Sequence, residues 1–467
     1  MTKWVRTMAI FASIVAGGTA GNQSLAQGPA TRPAHAPHAA NPILPGYYAD
    51  PSIVQHDGKI YIYVTLDPWG DQTLGCWESS DWKQWTYREL NWPTKKECTS
   101  KTSGQALVWA PSVLRGADGK FHMVVSVGNE VWAGVAETPL GPWKNARAGG
   151  GPLVDQTFRP GFHMIDAELF LDDDNQAYMY WGSGFGWVNG KCWVVKLKPD
   201  MVTFDGEVHD VTPTNYFEAP FMLKKNGRYY LMWSSGKTTE DTYEVRYGTA
   251  DSPFGPFVEG ATSPVLATDT TKDVISPGHH AMFEKDGRTY ILYHRQSVPF
   301  DPQSLGRQTC VDELTFAADG QMQKVQPTHT GPDFVQRSAD GPKALLATFT
   351  ASGQRDDVTG PERVADDNYA TRWTTPKSAT NAWIQMDLGS VKAITSQRIR
   401  PEYAWKAYAF TVEASTDGEQ WQTVADYTKQ PAKGSPITVD KPVTARYLRL
   451  MFPDTGKGVA LWEWAAY

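Results

Sequence analysis

Cysteine and charge are both scarce in this chain of 467 residues. It contains four cysteines but no Cys-x-x-Cys pair, which argues against a structural zinc site. Charged residues make up 20% of the sequence, the net charge is −7, and Lys and Arg form no basic block. The electrostatic footprint of nucleic-acid binding is therefore missing, and we expect no nucleic-acid partner.

The four cysteines leave the redox state open. Cys76 and Cys98 lie within a polar, Trp-rich insertion at residues 69–104, and a disulfide between them would close it. Cys192 and Cys310 lie in strand-like runs and are expected to be buried thiols.

Long apolar runs are also missing, so we expect no membrane span. The apolar run at residues 8–16 is short, follows two basic residues and precedes a small-x-small site that ends at Ala26. This pattern is typical of a signal peptide over residues 1–26, which predicts a secreted or periplasmic protein. Residues 27–40 are rich in Ala, Pro and His and are predicted to form a flexible leader.

Aromatic residues are abundant, with 19 Trp and 20 Tyr. They fit β-sheet cores, and they also fit carbohydrate binding because the apolar face of a sugar packs on an aromatic ring.

Five strand–turn–strand units recur in the first two-thirds of the chain, at intervals of roughly 50–60 residues. Each unit is centred on a pair of residues that tolerates the positive φ angles of a tight hairpin. The five pairs are Asp57-Gly58, Asp118-Gly119, Asp174-Asn175, Asn226-Gly227 and Asp286-Gly287. We therefore predict an all-β protein, with a five-bladed β-propeller at 41–333, a linker at 334–346 and a β-sandwich at 347–467.

Acidic residues stand at the heads of three units, and a histidine stands at a fourth. They are Asp50, Asp166, Glu218 and His279. The innermost strands of a propeller begin at one end of its axis, so we expect these side chains to converge there. Glycoside hydrolysis needs a protonated carboxylic acid and a second carboxylate, and a nearby negative charge raises the pKa of the acid. Each acid taken alone also fits an ordinary strand end.

The motifs around these residues resemble glycoside hydrolase family 43. They read Tyr-Ala-Asp50-Pro-Ser, Trp109-Ala-Pro-Ser-Val, Met-Ile-Asp166-Ala-Glu-Leu-Phe, Tyr-Phe-Glu218-Ala-Pro-Phe and Pro-Gly-His279-His. The resemblance implies an inverting hydrolase, with Asp50 as the general base and Glu218 as the general acid. Asp166 would raise the pKa of Glu218 and hold it in place.

The same resemblance implies further site residues. Trp109 would form a stacking wall of the pocket, His163 and Arg307 would contact the substrate, and His279 would lie at a calcium ion on the propeller axis. Glu168 shares the strand face of Asp166 and competes with it for one of the roles.

The C-terminal third resembles the factor 5/8 type C, or discoidin, fold, as in carbohydrate-binding module family 32. The matching segments lie at 365–373, 383–389, 415–421, 445–450 and 462–464. The resemblance implies a structural calcium held by Asp366, Asn368, Thr371 and Glu463. An aromatic loop with Tyr403, Trp405 and Tyr408 would either stack on sugar or form core. Two roles are left open for the module: binding glycan, or only bracing the propeller.

The predicted activity is hydrolysis of plant-type glycans that contain arabinose, xylose or galactose, with α-L-arabinofuranosidase or β-xylosidase as the leading assignment. The alternatives are a galactosidase or galactofuranosidase of the same fold, an inactive glycan-binding propeller, and a retaining propeller of the invertase type. The oligomeric state, the sugar, the linkage and exo or endo action are left open.

Overall fold

The protein is described from a computed structural model that covers residues 32–303, 305–337, 346–453 and 458–467. The predicted signal peptide, residues 27–31 of the leader and residues 338–345 of the linker lie outside this part of the chain. Within it the protein is built from strands and a few short 3-10 turns. No helix in this part has the length and apolar character needed to cross a membrane.

Residues 48–313 form five antiparallel sheets in chain order, which are the blades of the predicted propeller. Blades one and two contain β1 (Tyr48–His56), β2 (Lys59–Leu66), β3 (Gly75–Ser79), β4 (Thr86–Arg88), β5 (Val108–Arg115), β6 (Phe121–Val127), β7 (Glu130–Ala136) and β8 (Lys144–Asn145). Blade three contains β10 (Glu168–Leu171), β11 (Ala177–Trp181), β13 (Trp193–Leu197) and β14 (His209–Asp210), and a separate ladder pairs β9 (Phe162–His163) with β12 (Ser183–Gly184). Blades four and five contain β15 (Glu218–Lys225), β16 (Arg228–Ser235), β17 (Glu244–Ala250), β18 (Val258–Glu259), β19 (Gly278–Lys285), β20 (Arg288–Gln296) and β21 (Arg307–Glu313).

The five predicted hairpin turns lie between the first and second strands of the five blades. Residues of every turn have the positive φ that was expected of them, for example 49° at Asp57 and 52° at Asn226. Five apolar clusters fill the five spaces between neighbouring blades, including the space between the last blade and the first. The ring is therefore closed by side-chain packing.

The fifth blade has three strands, whereas each of the other four blades has four. The N-terminal segment before β1 occupies the free edge of its last strand. The Ile43 backbone N–H donates to the Thr309 carbonyl, and the Asn41 side chain bonds both the N–H and the carbonyl of Val311. An amide side chain carries one acceptor and two donors, so Asn41 can substitute for a strand residue and join the two ends of the ring.

The C-terminal domain is a sandwich of two antiparallel sheets around one apolar cluster. One sheet has five strands, in the order β22 (Thr348–Ala351), β24 (Trp383–Ile394), β29 (Val443–Met451), β26 (Thr411–Ser415) and β27 (Gln422–Asp426). The other has four, in the order β23 (Trp373–Thr374), β30 (Ala460–Ala466), β25 (Gln397–Pro401) and β28 (Ile437–Val439). The short 3-10 turns are Pro33–His35, Phe185–Trp187, Thr270–Lys272, Asp333–Val335 and Pro361–Ala365.

The described part of the leader is not a loose tail, which corrects the expectation of flexibility there. Residues 33–40 lie between the two domains, and Ala34 and Ala40 are buried. The Asn368 side chain donates to the carbonyls of Ala34 and Ala36, which ties the leader to the sandwich. The first residues of the predicted linker are packed as well, because Val335 belongs to the apolar cluster of blades one and five.

All four cysteines are buried and free. The suggested disulfide between Cys76 and Cys98 is therefore wrong, whereas the prediction of buried thiols for Cys192 and Cys310 is confirmed. Cys76 and Cys98 pack in the apolar cluster between blades one and two, where burial raises the pKa of both thiols. The insertion is held by this packing.

Candidate active site

One backbone feature recurs at the same place in all five blades. A residue with positive φ lies at the start of each innermost strand: Asp50, Ala110, Asp166, Ala219 and His279, with φ of 50°, 49°, 57°, 54° and 35°. In four blades the strand pairing is irregular at this point, as in a β-bulge. Bulges re-aim side chains, and non-glycine residues with positive φ are uncommon. Asp50, Asp166 and His279 line one pocket, and in the other two blades the preceding residues, Trp109 and Glu218, do so.

Asp50 lies in the pocket as an ionised carboxylate. Its Oδ1 accepts from Nη1 of Arg307 at 2.9 Å, and its Oδ2 accepts from the Thr65 hydroxyl at 2.7 Å. Burial raises the pKa of Asp50, but Arg307, His279 and His294 outweigh it and hold this pKa well below its usual range. Asp67 fixes Arg307 in turn, with 2.6 Å between Oδ1 and Nη2.

The pKa of Glu218 is shifted in the opposite direction to that of Asp50. Its Oε1 accepts from the Tyr243 hydroxyl at 2.7 Å, and its Oε2 accepts from the Ser183 hydroxyl at 3.0 Å. Burial raises the pKa of Glu218 to about 7, and the negative charge of Asp50 adds to the effect. A Cβ at Gly278 would lie 2.1 Å from the Tyr243 ring, so glycine at that position leaves room for the tyrosine that holds Glu218.

The pKa of Asp166 is shifted in the same direction as that of Glu218. Burial raises its pKa well above the usual value, and the negative charges of Glu218 and Asp50 raise it further. His279 links Asp166 to Asp50, because its Nδ1 lies 3.7 Å from Asp166 Oδ2 and 3.3 Å from Asp50 Oδ1. Two buried carboxyl groups that repel each other titrate as a pair, so Asp166 and Glu218 together retain a proton near neutral pH.

All seven residues predicted for the propeller site line a single pocket with a volume of about 240 Å³. They are Asp50, Trp109, His163, Asp166, Glu218, His279 and Arg307. Burial lowers the pKa of His163 and of His279 to about 4, so both imidazoles are neutral near neutral pH. Glu168 lies two residues beyond Asp166, and burial raises its pKa to about 8.

Beyond the seven predicted residues, the pocket is lined by Trp69, the first residue of the Trp-rich insertion, and by Trp187. Trp69 and Trp187 face each other at the mouth with 6.3 Å between ring centroids, and the Arg307 guanidinium lies 5.3 Å from the Trp69 ring. Asp67 and Tyr243 support Arg307 and Glu218. A signal for these two existed, because Asp67 directly follows β2 and Tyr243 directly precedes β17, in blades whose first strand carries a predicted acid.

The four calcium ligands predicted in the sandwich lie beside the leader, away from the pocket. The Thr371 hydroxyl donates to Asp366 Oδ2 at 2.7 Å, and the Asn368 side chain bonds the leader. Oε1 of Glu463 is buried and has no hydrogen-bond partner, and burial with the charge of Asp366 raises the pKa of Glu463 well above its usual value. An unpaired buried carboxylate oxygen near a second carboxylate fits a hard cation.

Neither calcium site is marked by a cluster of metal-binding side chains. In the part of the chain that the structure describes, no group of three or more His, Cys, Asp and Glu side chains lies close enough together to hold a metal ion, at the axis or in the sandwich. The Nδ1 of His279 faces Asp50 and Asp166. A calcium ion near His279 stays a prediction.

The aromatic loop of the sandwich packs on the propeller. Nε1 of Trp405 donates to Asp71 Oδ2 at 3.0 Å, and its ring lies 6.0 Å from that of Tyr48. Asp71 follows Trp69 by two residues and pairs with Val108, next to the pocket residue Trp109. Of the alternatives left open for the loop, stacking on sugar or forming core, Trp405 takes the second, because it packs against the apolar cluster of blades one and five.

The propeller fold has one small pocket in which one carboxyl group has a lowered pKa and two have raised pKa values. This combination defines a glycosidase. A family model described as "Glycosyl hydrolases family 43" matches residues 39–322, and the chain belongs to this family. A second model, described as a NedA-like, galactose-binding domain of the F5/F8 type C group, matches residues 363–450.

Individual relatives agree with this assignment. The chain is 36% identical over 309 residues to a β-D-galactofuranosidase of Aspergillus niger, which covers 63% of this chain and 86% of the relative. It is 26% identical over 371 residues to an arabinoxylan arabinofuranohydrolase of Bacillus subtilis, covering 68% and 69%. A solved structure titled "Glycoside hydrolase" aligns with a TM-score of 0.77 at 27% identity, covering 94% of this chain and all of that one. An α-L-arabinofuranosidase structure from Clostridium thermocellum aligns at 0.50 and 29% identity, covering 60% and 94%.

Proposed function

We propose that this glycosidase removes one terminal furanose residue from galactose- or arabinose-containing glycans, with β-D-galactofuranosides as its preferred substrates. The observation that carries the proposal is the size of the pocket. Its volume of about 240 Å³ lies below the roughly 300–1,000 Å³ of pockets for drug-sized ligands, so it suits a single sugar ring. The pair Trp69 and Trp187 narrows the mouth, which favours a chain end over the middle of a polymer.

The choice of sugar rests on the relatives. The galactofuranosidase relative is 36% identical, whereas the arabinofuranohydrolase and xylosidase relatives are 26–28% identical. β-D-Galactofuranose and α-L-arabinofuranose share the configuration of their five-membered ring, so one pocket can accept both. This order differs from the sequence-based expectation, in which galactofuranosidase was an alternative.

In the proposed mechanism Asp50, ionised and held by Arg307, removes a proton from the attacking water. The Asp166–Glu218 pair keeps one proton, and Glu218 donates it to the leaving oxygen. Glu218 suits this role because two hydroxyl groups orient its carboxyl group at the pocket wall. Asp166 acts through its charge on Glu218 and through His279. Direct attack of water from the face opposite the leaving group predicts inversion of the anomeric centre.

The test is a panel of 4-nitrophenyl glycosides: β-D-galactofuranoside, α-L-arabinofuranoside, β-D-xylopyranoside and β-D-galactopyranoside. We expect turnover of the two furanosides, faster for galactofuranose, and none of the pyranosides. Turnover of the xylopyranoside alone would assign the protein as a β-xylosidase, and absence of turnover on all four substrates would overturn the proposal.

We also propose that the sandwich binds calcium through Asp366, Thr371 and Glu463, supported by the unpaired Glu463 oxygen. Asn368, the fourth predicted ligand, is left out because its amide donates to the carbonyls of Ala34 and Ala36 and its Oδ1 accepts from the Ala370 N–H. The melting temperature should rise with excess calcium and fall with a chelator, and Glu463→Gln should remove this response. A melting temperature that ignores calcium would contradict the site.

Secretion or periplasmic export is proposed from the N-terminal pattern alone. N-terminal sequencing of the mature protein from its native host should begin near Gln27, and a retained residue 1 would contradict export by cleavage.

A further inference from the structure

Among the described residues that line the pocket, Thr238 is the one with a neutral hydroxyl group. Half of these residues are apolar or glycine, and the other polar ones are three carboxyl groups, two histidines and an arginine. Thr238 lines the pocket although the residue is only 2% exposed. A sugar that enters the pocket loses its water, and each of its hydroxyl groups then needs a hydrogen-bond partner in the wall.

The side-chain amide of Gln296 fixes the Thr238 hydroxyl. Its Nε2 donates to the Thr238 carbonyl at 2.7 Å and to Thr238 Oγ1 at 3.1 Å. The carbonyl can only accept, so the NH2 end of the amide must face it, and both hydrogens of that group are then used. Thr238 Oγ1 is therefore an acceptor toward Gln296, and its own hydrogen is available for another acceptor.

This hydrogen points to a ligand. Among the described residues, Thr238 Oγ1 is hydrogen-bonded to Gln296 alone, so the hydroxyl hydrogen finds no acceptor there. Oε1 of Gln296 is likewise buried without a partner. Buried polar groups that stay unpaired cost free energy, so the pair suits the binding of a ligand better than the stability of the fold.

The loop that carries Thr238 is held in place beside the proposed acid. It joins β16 to β17 and ends at Tyr243, whose hydroxyl donates to Glu218. The Lys237 N–H donates to the Thr242 hydroxyl, which closes the loop on itself. A wall group that is ordered before the substrate arrives lowers the entropic cost of binding.

Thr238 is tied to the fifth blade and not to the acids. Gln296 lies opposite Arg307 in the β20–β21 ladder, and none of the three pocket carboxyl groups bonds Thr238 in the part of the chain that is described. We therefore expect Thr238 to meet a sugar hydroxyl away from the anomeric carbon, where the carboxyl groups act. β-D-Galactofuranose and α-L-arabinofuranose differ in such a place. The side chain at C4 has two carbons and two hydroxyl groups in galactofuranose, and one of each in arabinofuranose.

We propose that Thr238 determines specificity by donating a hydrogen bond to an exocyclic hydroxyl group of a terminal galactofuranose, with Gln296 holding the threonine in the required orientation. This inference rests on the proposed function, because it takes galactofuranose as the sugar in the pocket. It accounts for the proposed order of the two furanosides by one contact that the shorter side chain of arabinofuranose does not make.

The kinetic test follows the ratio of kcat/KM for 4-nitrophenyl β-D-galactofuranoside to that for the α-L-arabinofuranoside. Thr238→Val keeps the shape of the side chain but removes the hydroxyl, and the ratio should fall about threefold to tenfold, the range of one neutral hydrogen bond. Thr238→Ser keeps the hydroxyl and should retain most of the ratio. Thr262→Val is the matched control, since it removes a hydroxyl that donates to the Met322 carbonyl outside the pocket, and its ratio should equal that of the wild type.

Two results would overturn the inference. An unchanged ratio in Thr238→Val, with or without an equal loss on both substrates, would show that the hydroxyl does not recognise the exocyclic group. Equal falls in Thr238→Val and Thr238→Ser would show that the methyl group, and not the hydroxyl, sets the ratio.

A binding test separates this inference from the proposed function. Titration calorimetry with D-galactono-1,4-lactone and L-arabinono-1,4-lactone compares two five-membered rings that differ only in the exocyclic group. The wild type should bind the galactonolactone about threefold to tenfold more tightly, and Thr238→Val should remove the difference. If the wild type cleaves neither furanoside but shows this difference and Thr238→Val removes it, the proposed function fails and the inference stands. If it cleaves furanosides and the difference is absent, or survives in Thr238→Val, the inference fails alone.

Discussion

Two buried arginines pair with aspartates in this molecule, and the two pairs have different roles. Arg307 contacts Asp50 and Asp67 at the pocket, and Arg337 contacts Asp367 at the seam between the domains. Both guanidinium groups are about 5% exposed. The pairs are similar in residue type and burial, so neither property explains why only one of them is placed in a catalytic pocket.

The difference lies in what surrounds each pair. Arg337 also donates to the carbonyls of Ala39 and Asp367, so its bonds join the leader to the sandwich. Asp50 instead faces an open pocket that contains Asp166 and Glu218, two carboxyl groups whose pKa values are raised. An ion pair can contribute to catalysis when its acid borders a cavity and has a lowered pKa, while a neighbouring acid in the same cavity has a raised pKa.

The largest expected effect contrasts the two aspartates. Asp50→Asn should lower kcat/KM about 10²- to 10⁴-fold because the water loses its base, while Arg307 keeps its second charged partner, Asp67. Asp367→Asn should leave kcat unchanged and lower the free energy of unfolding by about 1–3 kcal/mol, because the buried Arg337 loses a charged partner. Kinetics and chemical denaturation of both variants measure the contrast. Loss of activity in Asp367→Asn would contradict the claim that only the Asp50 pair takes part in catalysis.

The second effect concerns pH. Asp50 must be ionised, so activity should fall at low pH as Asp50 becomes protonated. Arg307→Met removes the charge that lowers the pKa of Asp50, and the acidic limb of the pH–rate profile should move upward by about 1–3 pH units.

Arg246→Met is the control, since Arg246 pairs with Glu244 and Glu259 at the outer side of blade four. An acidic limb that stays in place in Arg307→Met would mean that another group controls it.

A smaller shift is expected at the basic limb. The Asp166–Glu218 pair must hold a proton, so activity should fall as the pH rises through about 7. The Tyr243 hydroxyl stabilises the ionised form of Glu218, and Tyr243→Phe should therefore raise the pKa and move the basic limb upward by less than about one unit. A downward shift would show that the hydroxyl donates elsewhere.

The smallest expected effect tests whether the sandwich influences substrate binding in the pocket. Trp405→Phe removes the bond to Asp71 near Trp69, so we expect a KM about twofold to threefold higher with kcat unchanged. Trp421→Phe removes a comparable bond to the Gly418 carbonyl on an exposed hairpin and should leave KM as it is. Equal KM values for the two variants would show that the aromatic loop does not affect substrate binding.

The repeat and the convergence of the acids could be predicted because both follow from local signals. The hairpin pairs need positive φ at fixed positions, and the heads of innermost strands meet by symmetry. The register of Glu218 could not be predicted. It precedes the positive-φ residue Ala219, whereas Asp50 and Asp166 are themselves the positive-φ residues of their blades. The repeat does not show at which residue each strand bulges.

Hydrogen bonds between residues far apart in the chain could not be predicted either. Arg307 and Asp67 are 240 residues apart, and Asn41 and Val311 are 270 residues apart. Leader residues rich in Ala and Pro resemble a flexible segment by composition, although a second domain can bury them. The Cys76–Cys98 prediction failed for a related reason, because proximity in the insertion does not distinguish a disulfide from two thiols in one apolar cluster.

The most direct test of the proposed acid uses the leaving group. Glu218→Ala and Asp50→Ala should each be assayed on the 4-nitrophenyl furanoside, on its 2,4-dinitrophenyl counterpart and on a disaccharide. We predict that Glu218→Ala loses about 10²- to 10⁴-fold on the disaccharide and far less on the dinitrophenyl substrate, which departs without a proton, whereas Asp50→Ala is impaired on all three. Equal impairment of Glu218→Ala on every leaving group would contradict its role as the acid.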